Sequence, residues 1–238
     1  GIIAAGQGSR LAQEGVELPK PLVKIDGRPM IGRLIDIFVK CGAESISVIV
    51  NEEMTEVADY LRQLAETLPC PFNLVVKTTP TSMHSFYELS SLMKGKGRFI
   101  ITTVDTIFRE GDFEPYVRAF REAPAEVDGM MAVTSFIDDE KPLYVATGGD
   151  DRITAFLDSP QEGVKYVSGG IYGLSGKAIP VLGDCLAKGV GRMRNYQRAL
   201  VENGLFLKAF DMGKIVDVDH ASDIASADAF VKSGEIGI

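Results

Sequence analysis

Near its start the chain carries Gly6-Gln7-Gly8-Ser9-Arg10, directly after the short apolar run Ile2 to Ala5, and ten residues beyond Arg10 it carries Pro19-Lys20-Pro21-Leu22. Glycines that follow a first strand let backbone N–H groups approach a phosphate closely. Proline fixes φ and removes a donor, so Lys20 is held on a stiff loop. A stiff cationic loop beside a glycine turn suits a polyphosphate whose charge rises during reaction. A plain strand-to-helix turn with surface cations accounts for the glycines, but not for Arg10 and a proline-bracketed Lys20 as well. Two familiar phosphate loops do not fit. The dinucleotide fingerprint G-x-G-x-x-G needs a third glycine where the chain has Leu11, which disfavours an NAD-dependent oxidoreductase. No segment supplies G-x-x-x-x-G-K-[ST].

Three carboxylates stand where a phosphate chemistry could use them. Asp105 ends the apolar run Arg98 to Val104 in "FIITTVDTIF", and the C-terminal end of a parallel strand is where open α/β sheets bind ligands. Asp217 and Asp219, in "IVDVDHASDIASADAF", lie two apart and share one face if that segment is a strand. Asp223 fits the first turn of a following helix, where a carboxylate favours the dipole, and reads as structural. The two histidines (His84, His220) and three scattered cysteines (Cys41, Cys70, Cys185) form no HExxH, CxxC or other zinc pattern. The cysteines read as reduced packing residues of a cytoplasmic protein.

The elements that must position these groups follow from periodicity. Ile2 to Ala5, Ile46 to Val50, Phe72 to Lys77 and Arg98 to Val104 read as strands. Between them, apolar stripes at helical spacing predict helices: Ile31, Leu34, Ile35 and Phe38; Val57, Leu61, Leu64 and Leu68; Met83, Phe86, Leu89 and Met93. That alternation predicts a mainly parallel sheet with helices on both faces. Beyond Asp105 the pattern loosens. Gly129 to Thr134, Leu143 to Thr147, Arg152 to Phe156 and Tyr166 to Leu174 read as strands of a mixed or antiparallel region. Helices are expected near Lys177 to Lys188, Arg194 to Asn203 and Ser222 to Lys232, with strands at Phe206 to Phe210 and near Val218. No repeat or linker divides the chain, so residues 1–238 are read as a single domain.

The opening "GIIAAGQGSRL…PKPLVKIDGRPMIGRLIDIF" resembles the signature of the sugar-phosphate nucleotidyltransferases: a strand, a G-x-G-[ST]-R loop, P-K-P, then a G-x-P-[ML]-I helix start, matched by Gly27-Arg28-Pro29-Met30-Ile31. The resemblance implies a Rossmann-like, three-layer α/β fold with a mixed, mainly parallel central sheet. It implies transfer of a nucleotidyl group from a nucleoside triphosphate to a sugar 1-phosphate, by in-line attack on the α-phosphorus with loss of pyrophosphate. Arg10, Lys20 and Asp105 would be catalytic, and Ala4, Ala5, Gly6, Gly8, Ser9 and Arg10 would hold the nucleotide. Mg²⁺ would be held by Asp105 with Asp219 or Asp217, since it favours oxygen ligands and joins carboxylates to substrate phosphates. Val104 and Thr106 flank Asp105 where family members often have Gly-Asp or Asp-x-Asp, and His220-Ala221 replaces the common Thr-Pro.

The base and acceptor are less determined. The resemblance puts the base near the glycine loop and near "KTTPTSMHSFYELSSL", where Thr79, Thr81 and Ser82 offer hydroxyl or backbone contacts; His84 reads as a packing or helix-surface residue. Small hydroxyl side chains without an aromatic plate favour a pyrimidine, UTP or CTP. The same segment is closer in style to choline-phosphate cytidylyltransferases, so an alternative is a cytidylyltransferase acting on choline phosphate or a polyol phosphate. "VKYVSGGIYGLSGKAI" resembles the acceptor strand, with Gly169 and Gly170 against the sugar. Where many members have Glu-Lys-Pro, the chain has Asp158-Ser159-Pro160; Lys165 is either the substitute for that lysine or a solvated strand-end residue. A non-catalytic regulatory domain, the alternative of another class, is expected to have lost the arginine, the lysine or the metal acids, and all are present.

Composition bounds the partners. A net charge of −8 argues against a nucleic-acid ligand but not against a small phosphorylated one in a local basic pocket. No apolar run approaches the roughly 20 residues of a membrane helix.

Overall fold

In the computed structural model, residues 1–95, 97–138 and 140–234 are described. The first half alternates strand and helix as the periodicity predicts: β1 (Ile2–Ala4), a short α1 (Ser9–Gln13), the small hairpin β2 (Lys24–Ile25) and β3 (Arg28–Pro29), then α2 (Met30–Lys40), β4 (Ile46–Val50), α3 (Thr55–Ala65), β5 (Phe72–Val76), α4 (Ser82–Met93) and β6 (Arg98–Thr103). After β7 (Thr106–Ile107) comes α5 (Glu110–Glu122), then β8 (Gly129–Thr134), β9 (Tyr144–Thr147), β10 (Ile153–Leu157), β11 (Tyr166–Ser175), α6 (Ala178–Ala187), α7 (Met193–Glu202), β12 (Leu207–Asp211), β13 (Val216–Asp217) and α8 (Ala221–Lys232).

The helix α5 is absent from the sequence-based series. Phe113, Tyr116 and Phe120 are buried on one face of it, so the helical spacing was there to read. Pro115 lies inside the helix, and proline removes an interior hydrogen bond, which masks the signal. Packing supplies the difference: Phe113 stacks with Phe38 and Phe108 at centroid separations of 5.3 and 5.0 Å, and the Tyr116 hydroxyl donates to the Met130 carbonyl at 2.8 Å.

One nine-stranded sheet organises the molecule, in the order β10-β9-β11-β6-β1-β4-β5, with β8 on β11 and β12 on β8. The register makes β5, β4, β1 and β6 parallel to one another, and β8, β9 and β12 point the same way; β10 and β11 run against them. The sheet is therefore mixed and mainly parallel. Two apolar layers cover its faces. One is built on α2, α3, α5 and α8 (Ile35, Leu61, Phe113, Phe230), the other on α4, α6 and α7 (Phe86, Leu182, Tyr196). This is the expected three-layer α/β arrangement. It leaves the C-terminal ends of β1, β4, β5 and β6 clustered at one edge, where loops can gather.

Candidate functional site

The glycine loop leaves β1 at that edge. Ala4 and Ala5 are buried; Gly6, Ser9 and Arg10 are exposed, with Ser9 and Arg10 opening α1. Gly8 adopts φ +60°, and a Cβ on it would lie 2.9 Å from the Lys20 Cβ. Glycine is therefore required there twice over, by conformation and by the close approach of the Lys20 stem. Pro19 precedes the single 3₁₀ turn Lys20–Leu22, so the stem is aimed from a stiff base.

Lys20 is only 11% exposed, and its Nζ lies 2.6 Å from Asp105 Oδ2 and 2.7 Å from Asp219 Oδ1. Burial by itself would lower the pKa of the ammonium, but the two carboxylates outweigh it and the net shift is upward. Arg10 reaches Asp219 Oδ2 through Nη1 at 3.4 Å. Thus Arg10, Lys20, Asp105 and Asp219, four of the residues singled out from sequence, form one contiguous constellation.

A small ladder brings the two acids together. Asp105 follows β6; immediately beyond it, β7 pairs antiparallel with β13, and the Val218 N–H donates to the Asp105 carbonyl at 3.1 Å. Asp219 follows at the entrance to α8. Asp223 Oδ2 accepts from the N–H groups of Asp219 (3.0 Å) and His220 (2.7 Å); it stands in the first turn of α8, as expected, and there also caps the helix. A residue that sequence reading missed completes the frame. Glu14, at the end of α1, contacts His220 Nδ1 through Oε1 at 2.7 Å and accepts from the Ala221 N–H through Oε2 at 2.6 Å. It ties α1 to the Asp219 turn. Those two bonds hold the Glu14 carboxyl below its ordinary range, and Glu14 in turn raises the His220 imidazole. Nothing local in the sequence marks Glu14, because both partners come from the far end of the chain.

Asp217 lines a cavity of about 70 Å³ with Gly169, Ser168, Thr134, Asp219 and Arg10. Burial, then the charges of Asp217 and Asp105, push the Tyr172 phenol up, which puts both carboxylates in its neighbourhood. Gly169 and Gly170 sit where the β11–β8 register shifts, between Ser168 and Tyr172. A Cβ on Gly170, at φ +75°, would fall 2.7 Å from Thr106 Oγ1, and one on Gly169 would strike Ile215 Cδ1. The glycine pair therefore lets β11 press against the turn holding Asp105 and the segment leading to Asp217.

A family model for the nucleotidyl transferases matches residues 2–231. The chain belongs to the nucleotidyl transferase family. It is 23% identical over 231 residues to a bifunctional protein GlmU of Methanococcus maripaludis, covering 95% of this chain and 52% of that protein. The chain spans about half the length of the first curated relatives it matches, 48–52% of each. Among solved structures, a putative glucose-1-phosphate thymidylyltransferase from Bacillus anthracis in complex with a sucrose superposes with a TM-score of 0.82 at 22% identity, covering 97% of this chain and 94% of that one. The inositol-1-phosphate CTP transferase from T. maritima gives 0.78 at 18% identity, covering 98% and 95%. These likenesses confirm the fold.

For a nucleotidyl transferase, the turn before α4 is the candidate base side. Thr81 caps α4, its Oγ1 accepting from the His84 N–H at 3.4 Å and lying 2.9 Å from His84 Nδ1. Thr79 Oγ1 lies 2.6 Å from Ser85 Oγ. Both hydroxyls thus build the turn itself, and Ser82 opens the helix beside them. Beneath lies Asn51, another residue missed from sequence. It is buried at the end of β4, donates to the Ala5 carbonyl at 3.4 Å and accepts from Thr78 Oγ1 at 2.9 Å and the Glu53 N–H at 3.0 Å. A polar residue directly after a buried, mostly apolar central strand was the available signal. Lys165 is not brought to the cleft. It is exposed, with its ammonium 4.5 Å over the Tyr166 ring, and Asp211 and Asp151 are the charged groups that act on it.

Among the described residues, no group of three or more His, Cys, Asp or Glu could enclose a metal ion. What the chain offers is an oxygen-only pair, Asp105 with Asp219, already converged on one cation, with Asp217 nearby. That donor chemistry fits a hard divalent ion completed by substrate phosphates rather than an all-protein cage. No helix among the described residues is long and apolar enough to cross a membrane.

Proposed function

We propose that the chain transfers a nucleotidyl group from a nucleoside triphosphate to the phosphate of a sugar 1-phosphate or similar phosphorylated small molecule, releasing pyrophosphate. The observation that carries the reading is the Lys20 ammonium, fixed between Asp105 and Asp219 beside a glycine turn bearing Arg10. An acceptor phosphate oxygen forms a bond to the α-phosphorus, and the α–β bridging bond breaks, its electrons leaving with pyrophosphate. No protein nucleophile is needed. The open backbone of Gly6 to Ser9 cradles the phosphates, Arg10 holds the β,γ end that departs, and Lys20 balances the charge that grows at the α-phosphate. Asp105, with Asp219 or Asp217, would hold Mg²⁺, which when bound neutralises phosphate oxygens. Arg10, Lys20 and both acids stand together, which argues against a non-catalytic regulatory role.

The compact Thr79–Ser82 turn, stiffened by Pro80, supports a pyrimidine triphosphate, UTP or CTP. A base edge paired wrongly leaves buried polar groups unsatisfied, so the preference is expected to be about tenfold or more. Pyrophosphate release from each of the four triphosphates, with glucose 1-phosphate, choline phosphate and a polyol phosphate in MgCl₂, tests both parts. Release with no pair sinks the transfer reading; preference for ATP or GTP sinks the pyrimidine reading.

A further inference from the structure

Next to the cleft lies a second cavity, of about 510 Å³, which shares Glu140 and Pro142 with the cavity containing Asp217 and Asp219. Its wall is basic. Lys141, Arg192, Arg194 and Arg198 line it, against the carboxylates of Asp158 and Glu140. A single oxygen, Asp158 Oδ1, serves two guanidinium groups, 2.9 Å from Arg194 Nη1 and 2.7 Å from Arg198 Nη2. Arg194 also donates to the Lys141 carbonyl at 2.8 Å, and Arg198 donates to the Phe156 carbonyl through Nε at 3.1 Å. These bonds fix both planes before any ligand arrives. Arg192 is exposed and makes no ion pair with a described residue.

The placement of the arginines conflicts with helix electrostatics. Arg192 is the N-cap residue of α7 and Arg194 lies in its first turn, yet that turn carries no acid and no side chain caps it. Cations at a helix N-terminus oppose the dipole, and the first N–H groups there lack intrahelical partners. An anion in the cavity would answer both. It would pair with Arg192, share the field of Arg194 and Arg198, and face the positive end of α7. Planar guanidinium groups suit carboxylate and phosphate in this way. Glu140 does not cancel the excess, since it also faces His220 Nε2 at 3.9 Å.

We propose that this cavity binds a second anionic group of the acceptor, a carboxylate or phosphate remote from the phosphate that reacts. The acceptor is then a sugar phosphate carrying a second negative group, rather than one whose only charge is the reacting phosphate. The identity of the reacting end rests on the nucleotidyl-transfer reading above; the anion site rests on the cavity. The sequence signal was present in part: Glu140-Lys141-Pro142, the tripeptide expected near residue 158, occurs earlier in the chain and borders the same cavity as Asp158-Ser159-Pro160.

The test uses the full chain with MgCl₂ and three acceptors: glucose 1-phosphate, glucuronic acid 1-phosphate and glucose 1,6-bisphosphate. At least one of the two more anionic compounds is expected to exceed glucose 1-phosphate by about tenfold in kcat/KM, and Arg192→Gln is expected to collapse that ratio to near one. Calorimetric titration of the same compounds without nucleotide gives an independent reading of the site. Binding of an anionic compound that weakens in Arg192→Gln, with no pyrophosphate released from any pair, would overturn the transfer reading while supporting the anion site. Equal turnover and equal binding of all three, or a preference that survives Arg192→Gln, overturns the anion site whatever the chemistry.

Discussion

The strands β5, β4, β1 and β6 and the strands β8 to β12 deliver their parts of the cleft by different means. In the first group every strand runs the same way and each is joined to the next through a helix. The glycine loop, Lys20 and the turn before α4 project from one edge because parallel βα units place their loops there. Its main cation is buried and doubly paired. In the second group the strands reverse, and β11 pairs with β8 along one side and with β9 and then β6 along the other. Here the chain reaches the cleft by bending, at Gly169-Gly170; Arg194 and Arg198 share one carboxylate, Asp158, and Arg192 is exposed. On the proposed function, the first group holds the phosphates and the charge, and the second group selects the acceptor.

That division can be broken experimentally, and the largest expected effect lies at the junction. Asp105→Asn is expected to lower kcat by about three orders of magnitude, as removal of a preorganised charge does elsewhere. Its melting temperature is expected to stay within a few degrees, because a polar acid beyond the strand end adds little to the apolar core. Undiminished turnover would detach Asp105 from the chemistry.

Next in size is Lys20→Ala, expected to reduce kcat by about a hundredfold with a smaller change in KM, since its charge matters most as the α-phosphate charge develops. Arg10→Ala is expected to act more on triphosphate KM. A neutral Lys20→Ala would make the 2.6 and 2.7 Å contacts a structural pairing only.

The glycines sharpen the comparison further. Gly170→Ala puts a Cβ 2.7 Å from Thr106 Oγ1 at a positive φ, and is expected to cost about 1–3 kcal/mol of stability, read by denaturant unfolding. Gly6→Ala meets nothing within 4 Å and is expected to leave stability nearly unchanged. Equal losses from the two would show that the bend at β11 is not specially constrained.

The smallest effect is a pH dependence in the second group. Asp128 precedes β8, accepts from the Phe206 N–H at 3.0 Å and pairs with Lys177 at 2.8 Å. Burial would raise its carboxyl, but these contacts prevail and hold it below 3.8. Its stabilisation is therefore complete above 3.8 and disappears as pH falls through the lower folded value. The gap in melting temperature between wild type and Asp128→Asn is expected to be widest near neutrality and to close on acidification below the ordinary carboxylate range. A gap that widened on acidification would reverse the sign assigned to this pair.

What the sequence determined by itself was local. The alternation of apolar runs specified the strands β1, β4, β5 and β6 and the helices between them, because a 3.6-residue stripe and a short apolar run are visible without partners. The chemistry of Gly8, Arg10 and Lys20 was legible for the same reason: glycine, proline and cation act through their immediate backbone. Asp105 could be found as the acid ending a strand. What only the tertiary structure decided was meeting. Whether Asp219 or Asp217 faces Lys20 depends on the β7–β13 ladder. That Glu14 ties α1 to α8, that Pro115 is tolerated inside α5, and that Lys165 turns away while Arg194 and Arg198 of α7 gather round Asp158, all depend on segments far apart in the chain. Such contacts are set by packing and by the closing of one sheet, and no window of sequence contains both partners.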